Sequence, residues 1–128
     1  GNDLCVYPSY YEPWGYTPLE AVAFSIPCIT TDLAGFGIWA QHVLAGEKAE
    51  NSLENGVKIV HRTDYNYHEV ADEIKDAVTN YSLLDKAQVT KAREKAKKLS
   101  KKALWKKFIT YYEEAYDIAL RKADERTK

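Results

Sequence analysis

Residues 4–31 read LCVYPSYYEPWGYTPLEAVAFSIPCITT, and this run decides the fold because two short β-forming stretches flank a turn and an apolar helix. Leu4 to Tyr7 is apolar and is ended by Pro8, as a short strand is. Pro13 and Gly15 shape a loop. Thr17 is placed to cap a helix over 18–24, with Pro18 at its first position, where no amide donor is missed. Ser25-Ile26-Pro27 then turns the chain into Cys28-Ile29-Thr30-Thr31, a β-branched run that reads as the second strand.

Working outward, 32–37 reads as a strand-to-helix loop and 38–44 as a brief helix. Residues 45–56 are polar and poorly periodic, a surface excursion ending in an Asn55-Gly56 turn before a third strand, 57–60. Asn66 with Glu69 three positions later forms a capping-box pattern, opening a helix to about Tyr81 with Val70, Ala71, Ile74, Ala77 and Val78 on one face. The chain then stays helical to near Arg126. Leu83, Val89, Ala92, Ala96 and Leu99 form a thin stripe, and Ser100 stands as cap of a second helix carrying Leu104, Phe108, Tyr111, Tyr112, Ala115, Tyr116 and Ala119. The expected class is α/β: a doubly wound, three-layer Rossmann-like parallel sheet over 1–81, with 82–128 as a helical tail of the same domain. Right-handed crossovers bring loops 8–17 and 32–37 to the same carboxyl edge, where such sheets gather ligands.

Length and charge bound the function. At 128 residues there is room for one domain and one modest core. Net charge is −1, but the run 91–107 holds nine bases, from Lys91 to Lys107, against Glu94. Without interleaved aromatics over 91–104 to stack bases, it reads as a solvated helix face and argues against nucleic acid as a partner. The two cysteines, Cys5 and Cys28, sit in apolar runs and read as small buried hydrophobes in a reducing cytoplasm. No apolar run is long enough to cross a membrane. With Gly1-Asn2-Asp3 at the start and no Met anywhere, the chain reads as a fragment.

Two carboxylates, Glu12 and Glu20, lie eight positions apart across the turn and helix start. The amides of that first helical turn form an anion site, the only phosphate-binding feature in a chain with no Gly-x-Gly-x-x-Gly or Walker sequence. Thr17 followed by Glu20 is also a capping-box spacing. Gly35-Phe36-Gly37 reads as a loop in which backbone approaches a neighbour or ligand closely. His42, His61 and His68 show no metal-ligand spacing with the cysteines, so no metal is expected.

The string from Pro8 to Gly37, PSYYEPWGYTPLEAVAFSIPCITTDLAGFG, resembles the carboxy-terminal domain of the animal and fungal type of glycogen synthase; weaker likeness continues through 56–62 and 105–112. That resemblance implies the donor-binding half of a two-domain GT-B glycosyltransferase, with the missing amino-terminal domain as its partner. The implied reaction moves glucose from UDP-glucose or ADP-glucose to the non-reducing end of an α-1,4-glucan, with retention and without a further cofactor. It assigns Glu12 to the donor sugar and to stabilising the departing glucosyl group, and Glu20 to the ribose hydroxyls. Gly15, Thr17 and Leu19 fall at the diphosphate, and Tyr16 at the nucleobase, while Trp14 shapes the loop. The arginine clusters that sense sugar phosphate in the family are replaced here by lysines with a lone Arg93. Two other readings stand beside this one: another retaining GT-B transferase, and a non-enzymatic anion-binding module using 91–107.

The tail carries more aromatic and apolar residues than three short strands require, and such a face favours a second copy of the chain through Tyr111 and Tyr112. Sedimentation equilibrium over a wide concentration range is expected to show a dimer that Tyr112→Ser weakens. A constant 14.6 kDa species would reject it.

Overall fold

The computed structural model describes residues 2–126. Three strands, β1 (Cys5–Val6), β2 (Cys28–Thr31) and β3 (Val57–Val60), form a wholly parallel sheet in the order β1-β2-β3. Cys5 pairs with Cys28, Val6 with Ile29, and Cys28 through Thr31 with Val57 through Val60. Helix α1 (Tyr16–Ala23) links β1 to β2, and α2 (Gly35–Gly46) precedes β3. They are followed by α3 (Tyr67–Ser82), α4 (Lys86–Ser100) and α5 (Trp105–Arg126).

Side-chain alternation along the strands assigns the layers. Cys28, Val57 and Ile59 share one apolar cluster with Ala21 and Val22 of α1 and Phe36, Ala40 and Leu44 of α2. Ile29 and Val60 share the other with Val70 and Tyr81 of α3. Helices thus cover both faces of the sheet. The central strand β2 is buried along its whole length, which accounts for its unbroken apolar and β-branched run.

Helix α4 joins the two layers. Its Ala96 and Leu99 enter the first cluster and its Ala92 the second. It passes beneath the amino ends of the strands, where Lys97 donates to the Ala23 carbonyl at 2.5 Å and Lys95 to Asn55 at 2.5 Å. At Gly56, with φ 93°, a Cβ would stand 2.5 Å from the Ala96 amide nitrogen, so this turn has room only for glycine. The opposite, carboxyl edge is left to loops.

Several local expectations are corrected. Helix α1 begins at Tyr16 because Gly15, at φ 107°, is its N-cap; Thr17 caps nothing, Pro18 is the third helical residue, and the Thr17–Glu20 box does not form. Gly35-Phe36-Gly37 is the first turn of α2, starting the helix three residues earlier than its apolar pattern. Asn66 does precede α3, but its side chain turns back, accepting from the Thr63 amide and donating to the His61 carbonyl. Ala71 and Val78 are exposed, and the buried line of α3 runs through Val70, Ile74, Ala77 and Tyr81. Ser100 ends α4, donating to the Lys97 carbonyl, and a short 3-10 turn over Lys101–Ala103 separates it from α5.

Two glycines in α2 give a paired test. A Cβ on Gly37 would lie 2.0 Å from the Thr31 carbonyl oxygen, whereas one on Gly46 meets nothing within 4 Å. In urea titrations, Gly37→Ala is expected to cost about 1–3 kcal/mol. Gly46→Ala should be neutral or stabilising by about 0.5 kcal/mol; equal midpoints for the two variants would refute this packing.

Candidate functional site

Beyond the ends of β1 and β2 the two chains keep pairing. Glu12 and Ala34 form an isolated parallel bridge: the Glu12 amide donates to the Leu33 carbonyl at 3.2 Å, and the Gly35 amide to the Glu12 carbonyl at 3.1 Å. One step on, the Phe36 amide donates to the Trp14 carbonyl at 2.5 Å. A Cβ on Gly35 would fall 2.3 Å from the Pro13 carbonyl oxygen, so this close seam depends on glycine there. Glu12 is thereby held by its backbone, half-buried, with Ser9 Oγ donating to its Oε2 at 3.2 Å. Ser9 is tied in turn by Thr31 Oγ1, which donates to its carbonyl at 2.7 Å.

Gly15 is buried and hands the chain directly to α1. Its φ leaves the Tyr16 and Thr17 amides as the free donors of the first turn, since Pro18 has none and the Leu19 amide donates to the Gly15 carbonyl at 3.4 Å. Tyr16, Thr17 and Glu20 are exposed on this helix, and Leu19 is half-buried. Glu20, free of any cap, lies within electrostatic reach of Tyr7, whose phenol is pushed up mainly by burial, with Cys5, Cys28 and Glu20 adding to the effect. All the residues expected at the site therefore lie on one loop and one short helix at the carboxyl edge.

Three residues there escaped the sequence reading. Asp32, at the end of β2, accepts from the Arg62 amide at 2.9 Å and from His61 Nδ1 at 2.5 Å, latching the β3 end to the β2 end. The Arg62 guanidinium lies 5.4 Å from the Tyr10 ring centroid, over the loop that carries Glu12, and its Nε is buried without a hydrogen-bond partner among the described residues. No spacing rule links residues 10, 32 and 62; only their shared position after successive parallel strands marks them. Among the described residues there is no group of three His, Cys, Asp or Glu side chains able to hold a metal ion, and no helix long and apolar enough to cross a membrane.

Along the basic run, Arg93 pairs with Asp3, Lys95 with Asn55, Lys97 with the Ala23 carbonyl and Lys102 with Glu47. Four of its nine cations thus hold the domain together, which weakens the reading of this helix as an anion-binding surface.

A family model described as glycogen synthase matches residues 1–127. The chain belongs to the glycogen synthase family. Over 123 residues it is 33% identical to the glycogen [starch] synthase of Neurospora crassa, covering 96% of this chain and 17% of that one. Identity is 32%, with the same coverage, to glycogen [starch] synthase isoform 1 of Saccharomyces cerevisiae and to the liver glycogen [starch] synthase of Homo sapiens. The chain thus spans 17% of the length of these curated relatives. In this segment of the family the acid, the free amides and the supporting seam are contiguous.

The seam yields its own test. Gly35→Ala is expected to force the Pro13 carbonyl away, with loss of amide hydrogen-exchange protection at Phe36 and Glu12 while the β2–β3 ladder keeps its protection. Unchanged protection at both amides would show that the loop does not depend on this contact.

Proposed function

We propose that this chain supplies the donor-binding half of a retaining GT-B glucosyltransferase, moving glucose from a nucleotide-glucose, UDP-glucose foremost, to the non-reducing end of an α-1,4-glucan. The observation that carries the reading is a half-buried carboxylate, Glu12, fixed by backbone hydrogen bonds at the carboxyl end of β1 and followed directly by a helix with free first-turn amides.

On this reading the Glu12 carboxylate faces the donor sugar and stabilises positive charge as the glucosyl group departs. Its backbone anchoring means little reorganisation accompanies that charge, the condition under which a fixed group is most effective. The departing diphosphate meets the amides of Gly15, Tyr16 and Thr17, assisted by the positive end of the helix dipole. Leu19, whose amide bonds within the helix, contributes by packing. Glu20 binds the ribose hydroxyls, a role its uncapped, exposed side chain leaves open, and Tyr16 offers its ring to the base. The amino-terminal domain of a full-length enzyme closes the cleft and brings the glucan acceptor, in a cytoplasmic setting.

Half a cleft binds weakly. The isolated chain is expected to take UDP-glucose in roughly the millimolar range, with NMR shifts at the amides of Tyr16, Thr17 and Glu20. Shifts confined to residues 91–107 would remove the site. In a full-length enzyme, Glu12→Gln should leave nucleotide affinity nearly intact and lower turnover by about two to three powers of ten. Glu20→Gln should instead weaken donor binding, and because it caps nothing it should leave the unfolding midpoint unchanged.

A further inference from the structure

The loop that carries Glu12 leaves the sheet after the Tyr7 amide, which donates to the Ile29 carbonyl at 2.8 Å, and regains it at the Glu12 amide. Between these two points its backbone has one hydrogen bond to the body among the described residues, from Thr31 Oγ1 to the Ser9 carbonyl. The other hold on the loop is the Tyr10 ring, 54% exposed and outside both apolar clusters, on which the Arg62 guanidinium rests at 5.4 Å from the centroid. We propose that Arg62 is a positioning residue for Glu12: by gripping Tyr10 it fixes the loop that aims the carboxylate at the donor sugar. The proposal rests on the reading of Glu12 as the group facing the departing glucosyl unit, and it deepens that reading.

The base of this clamp is fixed from several sides. The Arg62 amide donates to Asp32 Oδ1 at 2.9 Å, and the adjacent His61 Nδ1 meets Asp32 Oδ2 at 2.5 Å. Asn66 accepts from the Thr63 amide at 2.8 Å and donates to the His61 carbonyl at 2.9 Å, so the backbone on both sides of Arg62 is tied down. Both Asp32 oxygens are thereby occupied, and the half-buried guanidinium makes no ion pair and no hydrogen bond among the described residues. What it does have is the face of Tyr10. A cation within about 6 Å of a ring centroid is drawn to the negative face of the ring, the more so where water is thinned by burial. Any shift of Tyr10 reaches the acid by two routes. Tyr10 stands two residues before Glu12, and it adjoins Ser9, whose hydroxyl donates to Glu12 Oε2 at 3.2 Å. The end of β3 is in this way mechanically connected to a carboxylate on the loop after β1.

Arg62→Met keeps the aliphatic stem and removes the cation. In a full-length enzyme containing this segment it is expected to lower kcat roughly tenfold, the scale of a small misplacement of a reacting group, with donor KM unchanged. Combined with Glu12→Gln it should add no further loss, because a residue that acts only through Glu12 has nothing left to position. Tyr10→Phe, which keeps the ring, should match the parent enzyme, and Tyr10→Ala should match Arg62→Met. In the isolated chain, Arg62→Met should speed hydrogen exchange at the Glu12 amide and leave the β2 and β3 amides protected, so a folding defect is read separately. A raised donor KM with kcat intact would make Arg62 a donor contact, and a further loss of kcat in the double variant would make it an independent group; either result overturns the clamp. So would undiminished turnover in Arg62→Met beside a slow Glu12→Gln enzyme, an outcome that leaves the donor-site reading standing. Full turnover in Glu12→Gln would instead sink the donor-site reading and the positioning role with it.

Discussion

Three backbone hydrogen bonds beyond the ends of β1 and β2 govern most of what is particular to this domain. The Glu12, Gly35 and Phe36 amides extend parallel pairing into what would otherwise be two independent loops. This draws the Pro13 carbonyl so close to α2 that only glycine fits at residue 35. It also sets Trp14 against Phe36 at 6.4 Å, nucleating the ring cluster that receives Phe108 from α5. Anchored there, Glu12 has a fixed position although it lies outside any strand.

The two ends of the sheet are closed in different ways. At the amino ends of the strands α4 closes the structure with Ala96 packed against Gly56 and with lysines bonded to Ala23 and Asn55. At the carboxyl ends the polar groups tie loop to loop, Asp32 to Arg62 and His61, and Thr31 to Ser9. The contacts below the sheet are therefore remote from the loop that carries Glu12, an arrangement common to open α/β domains.

How much of this the sequence displayed depended on whether a feature was local. The runs 28–31 and 57–60 were legible because a buried parallel strand is a continuous apolar, β-branched stretch whatever its neighbours do. The capping box of α4 is equally local, since Asp85 and Gln88 stand three apart and bond each other's backbone amides, and it interrupts the continuous helix expected after Ser82. Thr17, Asn66 and Ser100 failed as caps for a tertiary reason. The left-handed Gly15 started α1 early, Asn66 was recruited by the loop before it, and Ser100 was drawn under the body with α4. Glu12 could be named from its place after a strand, but the Asp32 latch and the stacking of Arg62 on Tyr10 arise from strand order, which no short-range pattern encodes.

A single side chain gives the sheet a direction. Asn51 Oδ1 accepts from the Ile59 amide and its Nδ2 donates to the Ile59 carbonyl, both at 2.7 Å. On the side of β3 away from β2, one amide group thus satisfies the donor and acceptor that another strand would need. A row of open backbone groups invites pairing with any passing extended segment, and here that invitation is withdrawn on one flank by a residue outside every strand. The Asn51 amide thus occupies the outward pairing position of Ile59 and disfavours enlargement of the sheet on the β3 flank.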